Sequence, residues 1–395
     1  MKHLGDYSAG RDNNFNLLRF IAASAVLVSH SFLLVTGDPR AEPLRQSLGL
    51  SLGELAVGVF FATSGFLVTG SLLNKRSVTE FFLSRALRIY PGLSVAVILT
   101  VVICGLFYTE SSASVFFIDR ETWRYLVTNT VMLGFETYRL PGTFEHLPFS
   151  GIVNGSLWSL PFEIRLYILL GFAWIAFSAM SRTPARWLKV FCVAVAVSAV
   201  ALDLAFLWIH VWNPDVFREP RIVGLSATFF SGATLRALQH RVPMSRLIFG
   251  ILIVALGLSA LTSSFLFVYK LAFPYVVLYI ALVPRGRMRR FNQLGDYSYG
   301  IYIYAYPVQQ AIVHAAPGVT AWHLIVVSFP LTLALAFASW HLIEKRALRL
   351  RRQAAPAVVP DTHPLESAAC SSNMSRESPP PCDDDLLKLG APTAS

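Results

Sequence analysis

Two residues eleven positions apart offer the first chemistry in this chain. Arg19 and His30 both lie in the apolar run NLLRFIAASAVLVSH, where ionisable side chains are expensive. At 100° per residue, eleven positions make three helical turns plus about 20°, so both side chains share a face about 16 Å apart along the axis. A guanidinium is a permanent cation, and an imidazole can take and return a proton near neutral pH. Together they describe a slot with a cation at its mouth and a base within. A plainer account fits the same spacing: Arg19 snorkels to an interface, and His30 makes one interhelical hydrogen bond.

Arg85 and Arg88 stand three apart in SRALRIYPGL, so a helix would place both guanidiniums on one face. Two such forks suit phosphate oxygens, although an anchoring pair at a membrane surface looks the same. Glu163 lies in NGSLWSLPFEIRLY. Trp158 and Tyr167 flank it with the amphipathic aromatics found in interfacial belts and in sugar-binding clefts alike. An acid in a first helical turn after Pro161 is also what the helix dipole favours. Arg165 is only two residues on and does not share its helix face.

The elements that must hold these residues follow from composition. Of 395 residues, 54% are apolar and 14% charged, against roughly 25% charged in a soluble domain. Mean hydropathy is +0.54. About 20 apolar residues span a bilayer as a helix. By that measure the sequence predicts an all-α polytopic membrane protein with about ten spans: 15–36, 52–73, 89–108, 157–179, 187–209, 222–239, 246–264, 265–283, 297–316 and 320–343. The boundary near 264 is weakly marked. Residues 123–136 are too short to span and read as an interfacial or re-entrant segment.

The net charge of +10 comes from Lys and Arg clustered between apolar runs, so it points to a membrane and not to nucleic acid. Loops on one side carry 21 Lys and Arg and those on the other carry eight, which places both termini in the cytoplasm. Residues 74–88 and 284–296 would then face the cytoplasm, and 138–156 the outside. Residues 1–352 form the membrane domain. From 353 onward Pro, Ser, Ala and an Asp run predict a disordered cytoplasmic tail. No cleavable signal peptide and no internal repeat is evident.

Other signals are thin. Cys104, Cys192, Cys370 and Cys382 have no metal-ligand or CxxC spacing. His146, His210, His240, His314 and His323 are not spaced as ligands either, so no metal is expected. The series Tyr297, Tyr299, Tyr302, Tyr304 and Tyr306 reads as packing or an interface. Walker, GxGxxG and GxSxG patterns are absent, which argues against an ATP-driven pump and an α/β-hydrolase.

Taken in order, these stretches resemble the bacterial acyltransferase family 3, integral-membrane enzymes that O-acylate sugars. Arg19 and His30 match its Arg (or Lys), ten residues, then His. Arg85 and Arg88 match its R-x-x-R. AVGVFFATSGFL is similar to its GVDxFFxxSGFL, WSLPFE to its W-S-L-x-x-E, and YSYGIYIYAYP and LIEKRALR fall at its SYxLYLxHxP and LIEKP-like stretches. The likeness covers roughly residues 11–350. Gly58 stands where the family often has Asp, and Ala305 where it often has His, so His30 is the histidine left in a family-motif position. The extracytoplasmic hydrolase-like domain that some members carry is not here, as in stand-alone forms.

The resemblance implies an acyl-CoA co-substrate, commonly acetyl-CoA, approached from the cytoplasm, with no permanently bound cofactor. The acceptor would be a hydroxyl of a cell-envelope or secreted saccharide or glycolipid, and the location a bacterial inner membrane. Arg19, Arg85 and Arg88 would hold the donor phosphates. His30 would act as general base or carry the acyl group transiently, and Glu163 would orient it or bind the sugar beside Trp158 and Tyr167. The alternatives are a proton-coupled glycan transporter or export partner using His30 and Glu163 as a relay, and the same enzyme with a succinyl or longer donor. Acceptor, acyl chain and oligomeric state are not written in these motifs.

Overall fold

A computed structural model describes residues 2–8, 10, 12–75, 77–134, 136–212 and 221–354 of the chain. The tail expected from 353 therefore lies outside the described residues beyond position 354, with Cys370 and Cys382. So do Arg11, Arg76 and Arg218 of the charge count. The described residues are helical, with two isolated β-bridges and no strand.

The main helices are α1 (Phe15–Thr36), α2 (Leu52–Lys75), α3 (Val78–Phe107), α4 (Arg120–Val131), α5 (Leu160–Met180), α6 (Pro184–Trp212), α7 (Arg221–Ala237), α8 (Arg246–Ser259), α9 (Phe265–Leu282), α10 (Ser298–Ala315) and α11 (Ala321–Ser339). Among the described residues seven helical segments, beginning at Phe15, Leu52, Val78, Gly155, Pro184, Phe265 and Ala321, are long and apolar enough to cross a membrane. The other three expected spans are helices too. Of these, α7 has 17 residues and α8 has 14, while α10 has 18 residues that include polar Gln309, Gln310 and His314. The break between α8 and α9 falls between Ser259 and Phe265, where the weak boundary stood.

Two elements add detail that the expectation lacked. α3 begins at Val78, eleven residues before the apolar run, because Ser77 caps it by accepting from the Glu80 amide at 3.3 Å. Arg85 and Arg88 are thus part of a rigid helix rather than of a loop. Residues 123–136 contribute to α4, a 12-residue helix closed by Met132 in the left-handed region, with Thr122, Tyr125 and Asn129 buried.

α2 and α7 pack backbone to backbone, and glycines permit it. A Cβ on Gly65 would fall 1.9 Å from the Phe229 carbonyl oxygen, and one on Gly232 would fall 2.1 Å from that of Ala62. Backbone cannot yield as a flexible side chain can. Gly65→Ala is therefore expected to lower thermal stability in detergent by more than a typical overpacking change of about 1–3 kcal/mol. Gly257→Ala, where no atom lies within 4 Å, is the control that should leave it unchanged.

Candidate active site

α10 and α1 run side by side through the bundle, and the candidate residues are ordered along them. Just before α10, Gly295 takes φ +119°, a conformation that disfavours side chains, and a Cβ there would meet Trp340 Nε1 at 2.6 Å. This turn delivers Asp296 into the bundle. Its carboxylate accepts from the Arg88 guanidinium, lies 3.9 Å from Arg19 Nη1, and accepts from the Ser298 hydroxyl and amide. Burial pushes the Asp296 carboxyl up, but Arg88, Arg19 and Ser298 outweigh it and hold it at about 2. Asp296 is consequently an anion at any physiological pH.

Tyr299 continues the same layer, donating to the Ile89 carbonyl at 2.8 Å with Arg88 stacked 5.9 Å from its ring centre. After α11 the chain makes a single π turn, Trp340–Glu344. Such turns re-aim side chains and recur at functional sites. This one carries buried Glu344, whose Oε1 accepts from Ser339 at 2.9 Å while its Oε2 has no partner. The expected donor cations Arg19 and Arg88 thus share an acidic neighbourhood that inspection of the sequence did not anticipate. Their partners lie more than 200 residues away along the chain, and no spacing rule reports such a meeting.

One turn along α10, the Tyr302 hydroxyl donates to the Ser156 carbonyl at 2.5 Å and lies 2.8 Å from Ser159 Oγ. It ties down a 3₁₀ segment, Gly155–Ser159, that Asn154 caps through the Ser156 amide. The Tyr306 ring leaves room at Gly155 for no side chain, since a Cβ there would fall 2.7 Å from it. The same ring meets the His30 imidazole edge to face at 5.1 Å. The tyrosine series read as packing is in part the frame of this site.

His30 lines a cavity of about 360 Å³, within the usual size of small-ligand pockets. Trp158, Tyr138, Glu42, Glu54 and Arg221 share its walls. Arg45 and Glu54 form an ion pair at 2.5 Å on one side, and the Arg221 guanidinium sits 4.9 Å over the Trp158 ring on the other. His30 Nδ1 is buried with no hydrogen-bond partner. Phe60 lies between Tyr302 and the arginines, its ring centre 5.8 Å from that of Tyr302 and 5.6 Å from the Arg19 guanidinium.

The structure brings His30 and Trp158 together but separates Glu163 and Tyr167 from them. Glu163 accepts from Ser64 at 2.7 Å and from Tyr167, while Arg85 lies 5.9 Å from the Tyr167 ring centre. Neither Glu163 nor Tyr167 lines the cavity. The 3₁₀ segment Gly155–Ser159 runs directly into α5, whose first turn carries Glu163. Glu42 and Arg221 were not singled out in the sequence. The capping box Ser51-x-x-Glu54, with reciprocal bonds of 3.0 and 2.9 Å, was a readable signal for one wall.

Gly58, the position where Asp is frequent, is enclosed: a Cβ would fall 2.8 Å from Phe273 and 3.0 Å from the Tyr269 hydroxyl. Aromatic side chains fill the room an acid would take. Among the described residues no group of three His, Cys, Asp or Glu could hold a metal ion.

A family model described as an acyltransferase domain matches residues 12–341. An O-acetyl transferase of Shigella phage Sf6 is 30% identical over 355 residues, covering 86% of this chain and 96% of the relative. Nodulation protein 10 of Rhizobium leguminosarum bv. viciae is 29% identical over 376 residues, 88% of this chain and 96% of its own. The peptidoglycan O-acetyltransferase OatA of Listeria monocytogenes is 23% identical over 222 residues, 52% of this chain and 31% of the relative. No solved structure matches.

Proposed function

This chain belongs to acyltransferase family 3, and on that premise we propose that it transfers an acetyl group from cytoplasmic acetyl-CoA to a hydroxyl of a saccharide. The observation that carries the reading is the placement of His30, an imidazole with a free buried nitrogen, in a cavity whose walls include Trp158, Tyr138, Glu42 and Glu54. Sugars are bound by such a mix of aromatic faces and carboxylates.

In this reading the acceptor occupies the cavity and donates its hydroxyl proton to the imidazole as its oxygen attacks the thioester carbonyl. The carbon–sulfur bond breaks, and the departing thiolate takes the proton back from the imidazolium. General-base assistance of this kind contributes typically ~10²–10⁴-fold. Arg19, Arg85 and Arg88, at the opposite end of the slot, would hold donor phosphates, and the pantetheine arm would pass Phe60 and Tyr302 to reach His30. Glu163 would act through Ser64 and Tyr167 on the shape of this passage. Glu163→Gln keeps one acceptor oxygen but loses the charge, so it should lower kcat several-fold while donor affinity holds.

The proton-relay transporter has less support, because Glu163 bonds to Ser64 and Tyr167 and not to His30. Mass spectrometry of surface and secreted glycans with and without the gene tests the reaction: loss of an acetyl mass supports it, and unchanged glycans with proton-coupled uptake in vesicles support transport. A lost succinyl or longer mass would keep the enzyme and change the donor. Orientation is tested by cysteines introduced in 284–296 and 138–156. An impermeant reagent on intact cells should label the second segment only, and labelling of the first would reverse the side from which the donor comes. The tail after residue 355 is expected to be dispensable for transfer.

A further inference from the structure

At the end of the bundle where α1 begins, a second polar cavity of about 160 Å³ opens between α2, α7 and the N-terminal arm. Arg236, in the last turn of α7, projects into it with its guanidinium 5.2 Å from the Phe66 ring centre. Gly70 makes the room: a Cβ there would fall 2.5 Å from the Arg236 Nε and 2.9 Å from its Cζ. The cation therefore sits between an aromatic ring and a glycine and lines the cavity. Asn13, Ser71 and Asn74 carry further donors, and among the described residues no carboxylate lines the walls.

Charge separates this arginine from its neighbours. At the same end Arg88 and Arg19 share Asp296, and Arg289 is paired with Asp12. Among the described residues the Arg236 guanidinium has neither a carboxylate partner nor a hydrogen bond, and its backbone carbonyl accepts from the Gln239 amide. A half-buried cation without an anion is costly, and a planar guanidinium facing neutral donors is complementary to a phosphate. The cavity also borders Phe15, one turn of α1 before Arg19, so an anion bound here lies close to the mouth of the slot.

We propose that Arg236 is a phosphate seat, and that the phosphate it takes belongs to the nucleotide of the acyl donor. This rests on the acyl-CoA reading above and adds a binding residue that the shared motifs do not contain. Arg19 and Arg88, already compensated by Asp296, would orient the donor, and Arg236 would supply the uncompensated charge. A lipid headgroup offers the same chemistry, so the test must separate the two sources.

Binding of CoA and of pantetheine is measured on the full-length protein in nanodiscs with and without phosphatidylglycerol. Arg236→Gln should weaken CoA by about tenfold or more, the usual effect of losing a charge-assisted bond, and leave pantetheine within about twofold in both lipids. Arg236→Lys should recover part of the loss. Gly70→Ala, which displaces the guanidinium without removing it, should weaken CoA in the same direction. Unchanged CoA affinity in Arg236→Gln overturns the proposal, as does an equal loss for pantetheine. A loss of stability confined to phosphatidylglycerol discs, with CoA affinity intact, assigns the seat to lipid and overturns the donor assignment. If the unmodified protein binds no CoA, the acyl-CoA reading fails by itself. Inorganic pyrophosphate then tests the seat: Arg236-dependent binding supports it, and no binding overturns it.

Discussion

Replacing His30 with alanine is expected to abolish acetyl transfer, a loss of at least ~10²-fold and up to ~10⁴-fold, while donor affinity stays within a few-fold. The imidazole is separated from the arginine layer by three turns of α1 and by Phe60, so its removal does not reach the groups that would hold phosphates. Its neighbours are the Tyr306 edge and an open cavity, and its Nδ1 carries no structural hydrogen bond. The variant should therefore remain folded at normal membrane levels. The assay is transfer from radiolabelled acetyl-CoA to a hydroxyl acceptor by purified protein in nanodiscs, with donor binding measured separately. Near-normal turnover in His30→Ala would make His30 a packing residue and remove the proposed mechanism.

Arg88→Ala should have the second largest effect, and the structure makes it twofold. The donor KM should rise roughly 10–150-fold if a charge-assisted contact worth about 1.5–3 kcal/mol is lost. Stability should fall as well, because Asp296 would keep only Arg19, at 3.9 Å, and Ser298 as partners. Breaking a buried ion pair from one side costs about 3–5 kcal/mol. Adding Asp296→Asn to Arg88→Ala removes the uncompensated charge and should restore thermal stability while leaving the donor KM high. Recovery of both together would show that Arg88 acts only as a structural partner of Asp296. Arg88→Lys should keep the charge and lose the planar two-bond contact, giving an intermediate KM.

How much of this was legible in the chain differs between its parts. Apolar runs of about 20 residues marked where helices lie, since a backbone in lipid must satisfy its own hydrogen bonds and a helix does so within one segment. The alignment of Arg19 with His30 was equally local: it follows from 3.6 residues per turn, and α1 runs unbroken from Phe15 to Thr36. The ordered motifs led to the family, and the family model covers residues 12–341. All of these depend on neighbours within a few turns.

Partners across the bundle did not follow from such rules. Glu163, expected to orient the imidazole or bind the sugar, meets Ser64 and Tyr167, a partnership that no spacing rule reports. Asp296 and Glu344 reach the arginine layer through a glycine turn and a π turn, neither of which alters hydropathy. Arg236 lies within the expected span 222–239 with no spacing to mark it, and only the packing of α2 on α7 at Gly65, Gly70 and Gly232 places its side chain beside a cavity. The sequence by itself determined which segments are helices and which residues share a helical face, since i to i−4 hydrogen bonding is a local property. Which faces meet, and at what depth, was decided only in the tertiary structure, where the translation and rotation of each helix depend on close contacts made by residues far apart in the chain.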